Sequence, residues 1–300
     1  MELSWLMRLR IGAAFGTGAI LIGILAWPLA APAEPFGAVS VAGGAVNLGG
    51  DAIILAGLAF LSGFIAYFLC WPYGREIGIL AAPGGLAVWA IRSGSMADLI
   101  RQNPTLEQRQ LLLSALKWEP LFWLAIVAVG FAGVLAARRL LPRSRVEKTN
   151  AKANTKANTY LNVAIAVIFS VLIAQFAVRV FAQDVEMADR ALGSVVAQPQ
   201  VGQIVFAVFV AFMIAGFVVK KFLNVGYISP AISSSFVTAF SITTYVKQGV
   251  LEHLVQCWPP VFFSNSVVSV LPIQMVAFGT LGSIAGYWLA VRYSYWRKHA

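Results

Sequence analysis

The chain has 300 residues, 59% of them hydrophobic and only 11% charged, whereas a soluble domain carries roughly 25% charged residues. Its mean hydropathy of +0.79 excludes an ordinary soluble enzyme or binding module and puts most of the chain in lipid. The formal net charge of +10 could suit a nucleic-acid binder, but the sidedness of the basic residues gives it a plainer cause, so no nucleic-acid partner is expected.

Met1 to Ala33 imitates a secretory signal, with Arg8 and Arg10, an apolar run from Ile11 and the small-residue pattern Ala31-Pro32-Ala33. The run is longer than a signal core of roughly 7 to 15 residues and suits a full span, so it is read as the first transmembrane helix. Strong spans appear at Ile11 to Ala30, Ala52 to Trp71, Leu121 to Ala137, Leu161 to Ala182, Val201 to Val219 and Val270 to Val291. Two stretches are weaker. Ile77 to Ile91 is short and holds Pro83-Gly84-Gly85. Gly226 to Val246 carries Pro230 and a dense set of Ser and Thr.

Basic residues decide whether the weak stretches cross. With eight crossings, 15 Lys and Arg lie inside and 6 outside; with both weak stretches re-entrant, the division is 11 against 10. The positive-inside bias favours eight crossings with both termini cytoplasmic. Trp27, Trp71, Trp118, Trp258 and Trp296 fall near span ends, where amphipathic rings sit at headgroup level. Cys70 and Cys257 are then expected on opposite sides, without a bridge.

The centres of the four segments in each half are related by offsets of 148 to 152 residues, which points to duplication of a four-span unit. Gly78 and Pro83 correspond loosely to Gly226 and Pro230. Trp118-Glu119-Pro120 resembles Trp258-Pro259-Pro260, each after a short amphipathic stretch. An even number of spans per unit makes the repeat parallel. The expected architecture is therefore an all-α polytopic helix bundle of about eight transmembrane helices. It divides into a first half (1–137), a basic cytoplasmic linker (138–160) and a second half (161–300), with a parallel 4+4 duplication.

The interrupted segments point to a site, because unwound backbone is tolerated where it lines a cavity. Gly78, Pro83, Gly84 and Gly85, with Gly226, Pro230, Ser233, Ser234 and Thr238, are the candidate lining residues. The competing reading is that Gly and Pro are common in membrane helices and that Ser and Thr hydrogen-bond between packed helices. Small-xxx-small spacings at Gly12 to Gly16 and Gly282 to Gly286 mark close helix packing, intramolecular first. Arg138, Arg139, Arg143, Arg145, Lys148, Lys152 and Lys156 form a basic membrane-surface segment able to attract anionic lipids.

Catalytic signatures such as HExxH, GxSxG, CxxC and a Walker loop are missing. His253 and Cys257 share a helical face beside Glu252, but two ligands do not make a zinc site, and the group is read as a solvated loop edge. No catalytic residue, metal or cofactor is expected. Only Arg179 approaches the interior of a span, and the outer loops are too short for a separate domain. These features suggest a non-catalytic integral membrane subunit, an anchor or scaffold in the plasma (inner) membrane that contacts the bilayer and other membrane protein subunits. The alternative is a small-solute transporter or channel with its site at 77–91 and 226–246.

Overall fold

A computed structural model of the chain describes residues 5–32, 34, 37–46, 49–140 and 156–299. The protein is mostly helical, as expected for a chain whose backbone polar groups must be satisfied within the segment in lipid. Six helical stretches are long and apolar enough to cross a membrane: Trp5–Leu25, Gly50–Leu69, Leu106–Leu140, Tyr160–Phe181, Val201–Leu223 and Pro272–Arg297. Each overlaps one of the six strong runs of the sequence, although the first begins earlier, at Trp5, and the third reaches back to Leu106, and their large exposed apolar side chains, such as Ile24, Ile53, Leu172 and Phe206, fit contact with lipid.

The first half begins with α1 (Trp5–Gly18), which passes into a seven-residue π-helix, Ala19–Leu25. α2 (Gly50–Leu69) follows. The weak stretch is three joined pieces: α3 (Gly74–Ile77), a 3-10 turn at Gly78–Leu80, and α4 (Ala81–Arg92). α5 (Met96–Arg101) and α6 (Leu106–Leu116) occupy what the sequence suggested was a loop; reciprocal capping boxes, Ser95 with Asp98 and Thr105 with Gln108, start them. α7 (Glu119–Leu140) closes the half. Linker residues 141–155 lie outside the described residues.

The second half runs α8 (Lys156–Phe181), β1 (Glu186–Asp189), β2 (Gly193–Ala197), α9 (Val201–Leu223), α10 (Ile228–Tyr245), α11 (Gln248–Cys257), β3 (Phe262–Phe263) and α12 (Pro272–His299). β1 and β2 form an antiparallel hairpin with Glu186 opposite Val196, and β3 joins its other edge with Phe263 opposite Val196. α9 ends at Asn224, whose left-handed backbone (φ 52°) breaks the helix and whose side chain accepts from Lys220 Nζ at 2.7 Å.

Contacts sort the helix termini into two ends. At one, Cys70 Sγ donates to the Arg10 carbonyl, Arg10 lies over Tyr73, Arg75 is within electrostatic range of Tyr227, and Tyr227 packs on Phe131 and Tyr287. At the other, Arg92 lies over Trp27, Gln274 donates to the Ala90 carbonyl, and Gln198 joins Ala97 to Ser269. The Gly74–Arg92 stretch begins beside Tyr67 at the first end and finishes beside Trp27 and Gln274 at the second. α10 likewise begins at Tyr227 and finishes at Tyr245, against Phe263.

The charges sort with the ends. Among the described residues, Arg8, Arg10, Arg75, Arg138, Arg139, Lys220, Lys221, Arg292 and Arg297 gather at the first end with a single carboxylate, Glu76. The second end carries the other described acids, Glu34, Asp51, Asp98, Glu107, Glu119, Asp184, Glu186, Asp189 and Glu252, together with Arg92, Arg101, Arg109, Lys117, Arg190 and Lys247, so the acids separate almost completely and the bases only by their excess at the first end.

α12 is the axis of the bundle: 78% of its apolar window is buried, against 28 to 44% for the other five spans. It packs on α4, α7, α9 and α10, and these neighbours remove it from the lipid that the outer helices face.

Candidate functional site

Glycine sets the closest helix contacts. A Cβ on Gly133 of α7 would fall on the Phe60 carbonyl oxygen of α2, and one on Gly63 of α2 would fall on the Gly130 carbonyl oxygen. In the second half a Cβ on Gly286 of α12 would fall on the Met213 carbonyl oxygen of α9, and one on Gly216 would stand 2.7 Å from the Ser283 carbonyl oxygen. Each second-half pair is a first-half pair shifted by 153 residues: 60 and 133 become 213 and 286, while 63 and 130 become 216 and 283. A third contact, Gly133 against Phe64 N, shifts to Gly286 against Phe217 N. The exact match lies in side-chain-free approach of one backbone to another, which overall sequence spacing registers only approximately.

The residues suggested as cavity lining are mostly packed. Gly84 faces the Phe15 ring, a Cβ on Gly85 would stand 2.5 Å from the Gly18 carbonyl oxygen, and Gly78 backs onto the Tyr67 backbone; these and Pro83 are buried. On α10, Ser233 Oγ donates to the Pro230 carbonyl (2.6 Å), Ser234 Oγ to Ala231 (2.6 Å) and Thr238 Oγ1 to Ser234 (3.1 Å). Such bonds to the preceding turn satisfy the hydroxyls within the helix. Gly226 is exposed at the basic end. α12 packs on both α4 and α10. Buried Thr280 Oγ1 on α12, Ser170 Oγ on α8 and Trp89 Nε1 on α4 have no hydrogen-bond partner among the described residues.

The two small-xxx-small pairs differ in use. Gly282 and Gly286 pack on α9. Gly12 and Gly16 have no described atom within 4 Å of an added Cβ, and Gly12 is exposed. Of the basic linker, Arg138 and Arg139 form the last turn of α7, Lys156 opens α8, and Arg143, Arg145, Lys148 and Lys152 lie outside the described residues.

Two carboxylate clasps at the acidic end were not anticipated. Glu119, only 4% exposed, accepts from Ser40 Oγ (2.6 Å), the Ala42 N–H (3.2 Å) and Trp123 Nε1 (2.9 Å). It thereby fastens the α1–α2 connection to the start of α7. Asp189 accepts from His253 Nε2 (2.9 Å), Trp258 Nε1 (2.7 Å) and the N–H groups of Ala191 and Leu192 (2.8 and 2.7 Å). It fastens the α8–α9 hairpin to α11. The His253 N–H, then the Trp258 indole, then the Leu192 N–H hold its carboxyl well below the usual carboxylate range.

In each half, one carboxylate thus ties the connection between the first and second long helices to the start of the last helix (Glu119 on α7) or to the short helix just before it (Asp189 to α11). The acid comes from the later element in the first half and from the earlier connection in the second. His253 is therefore a hydrogen-bond donor to Asp189 rather than the solvated loop edge expected from sequence. Among the described residues no group of three His, Cys, Asp or Glu could hold a metal ion. Cys257 is exposed on α11, and Cys70 is buried at the opposite end, both as free thiols. The signal for Glu119 was visible as Glu-Pro-x-x-Trp, an acid and an indole one helical turn apart; Asp189 had no local signal. No protein-family model, curated protein or solved structure matches the chain.

Proposed function

We propose that this protein is a non-catalytic integral membrane subunit that anchors or scaffolds other membrane proteins in the plasma (inner) membrane. It has eight crossings in a parallel 4+4 duplication, with both termini cytoplasmic and the basic end toward anionic lipid. The observation that carries the scaffold reading is closure of the interior. The glycines and hydroxyls best placed to line a path are used in backbone contacts and intrahelical bonds instead. Eight crossings are supported by the way Gly74–Arg92 and α10 each join the two ends. The duplication is supported by the contacts related through 153 residues and by the paired clasps. Native electrophoresis of mildly solubilised membranes tests the function: the 32.2 kDa chain is expected in a discrete, much larger assembly with other membrane subunits. Migration as a lone, monodisperse chain overturns the reading.

One observation favours the transporter alternative. Thr280 Oγ1 is buried on the central helix without a partner among the described residues, next to Gly279, where an added Cβ would stand 3.4 Å from Ser234 Cβ on α10. An unsatisfied hydroxyl there is a place for a solute or ion to bind. Solute flux into proteoliposomes that is lost in Thr280→Val would establish that alternative over the scaffold.

A further inference from the structure

The C-terminal segments of α9 and α12 leave a crevice of about 360 Å³ lined by Lys221, Tyr293, Ser294 and Arg297. The Lys221 ammonium lies 4.7 Å from the Tyr293 ring centroid, 5.3 Å from Phe222 and 5.6 Å from Phe217. Three rings thus hold a long side chain that would otherwise be mobile, and fix its charge at the crevice. Nearby, Lys220 lies over Tyr287 and Arg292 over Trp296. None of the described lining residues is acidic. Glu76, the one described acid at this end, belongs to α3, which packs on α1, α2 and α7.

A cation near a helix C-terminus complements the macrodipole, but the four described here, Lys220, Lys221, Arg292 and Arg297, go beyond that and repel one another. The Ser294 hydroxyl donates to the Ala290 carbonyl (2.8 Å), leaving the ammonium, the guanidinium and the Tyr293 phenol to face an incoming anion. The crevice sits where the apolar run of α9 gives way to Lys220 and Lys221, beside exposed Tyr293, Tyr295 and Trp296. This is the residue pattern of a headgroup-level boundary. The 153-residue relation places Tyr67 and Phe68 where the second half has Lys220 and Lys221, so the cationic crevice is particular to the second half.

We propose that this crevice binds the phosphate of an anionic phospholipid headgroup, its acyl chains lying along the apolar flank of α9 beside Phe222. The proposal rests on the membrane orientation given above. Its test is native mass spectrometry of the detergent-solubilised full chain titrated with phosphatidylglycerol, phosphatidylcholine and inorganic phosphate. One phosphatidylglycerol is expected to bind in preference to phosphatidylcholine. Lys221→Gln with Arg297→Gln is expected to weaken it about thirtyfold, from about 1 kcal/mol per cation. Arg138→Gln with Arg139→Gln, the same charge change at the same end, is expected to weaken it less than threefold. Ser294→Trp keeps every charge and fills the crevice, and is expected to abolish the preference; it serves as the second variant should the double substitution misfold. The proposal is overturned by equal binding of the two lipids, by displacement of phosphatidylglycerol by equimolar inorganic phosphate, by equal losses in the two double variants, or by retained binding in folded Ser294→Trp. Release of the wild-type chain from membranes by alkaline carbonate would overturn the membrane reading itself, whereas an embedded chain without lipid preference overturns only the crevice.

Discussion

Glu119 and Asp189 show how much a single carboxylate does at the acidic end. Glu119 is buried, yet each partner donates to it, so removing the acid leaves Ser40, Ala42 and Trp123 with donors facing no acceptor. A buried unsatisfied donor costs about 1–3 kcal/mol. Glu119→Ala is therefore expected to lower stability by about 2–4 kcal/mol and to expose the 37–46 segment to protease. Scanning fluorimetry and limited proteolysis in detergent check this, and an unchanged melting temperature with unchanged cleavage would refute the clasp. Asp189 makes a pH prediction. Its folded-state pKa is depressed, so its contribution is fully present above the ordinary Asp value of about 3.9 and is lost as pH falls through the lower folded value. Protection of the Ala191 and Leu192 amides from hydrogen exchange should hold from neutral pH to about pH 5 and collapse in strong acid. Asp189→Asn should show lower protection throughout and no acid step; an acid step that survives the substitution would assign it to another group. Of these two acids, only Glu119 has a local sequence signal, its one-turn spacing from Trp123, and neither was anticipated. Asp189 meets its partners 64 and 69 positions later, and no local pattern encodes a contact of that separation.

At the scale of elements, hydropathy located the six strong helices because length and apolarity are themselves what a bilayer requires. It was less able to find α5, α6 and the β-hairpin, which lie in connections and are fixed by capping and tertiary contacts. The π-helix at Ala19–Leu25 was invisible for the same reason: its residues are ordinary apolar ones, and it lies where Gly18 and Gly23 bring the first span against α4. Glycine pairs were legible as motifs but not as contacts. Gly286→Leu must push α12 off the Met213 carbonyl, and Gly133→Leu must push α7 off that of Phe60. Overpacking of this kind costs about 1–3 kcal/mol, and more where only backbone can yield. Both variants are expected to melt earlier than wild type. Gly12→Leu with Gly16→Leu meets open space and is expected to leave the melting temperature of the isolated chain within experimental error. Under the scaffold reading, the same pair is expected to shrink the assembly seen by native electrophoresis. Early melting of the isolated Gly12→Leu, Gly16→Leu chain would show an intramolecular role for that face.

For the whole molecule, the decisive physical quantity is which terminus lies at which end. Charge counting on the sequence favoured eight crossings because the linker concentrates basic residues, and the packed structure adds which helix ends meet. Arg10 meets Cys70 and Tyr73 directly at one end, where Arg75 lies within electrostatic range of the packed Tyr227–Tyr287 pair, while Trp27, Arg92, Gln198 and Gln274 make their contacts at the other. The proposed eight crossings put residues 92–120 on the side opposite Arg10, in keeping with the packing of Arg92 on Trp27 and of Gln274 on Ala90. Cysteine accessibility separates the two topologies. In a Cys257→Ser background, with Cys70 buried, Leu111→Cys and Arg190→Cys sit at exposed positions of the acidic end, and Arg139→Cys at an exposed position of the basic end. Eight crossings with a cytoplasmic N-terminus require a membrane-impermeant maleimide to label the first two in intact cells and the third only after permeabilisation. Six crossings require the reverse at all three positions. A mixed pattern, with Leu111→Cys and Arg139→Cys labelled from the same side, would contradict both, since α7 alone separates those positions and must cross in either topology.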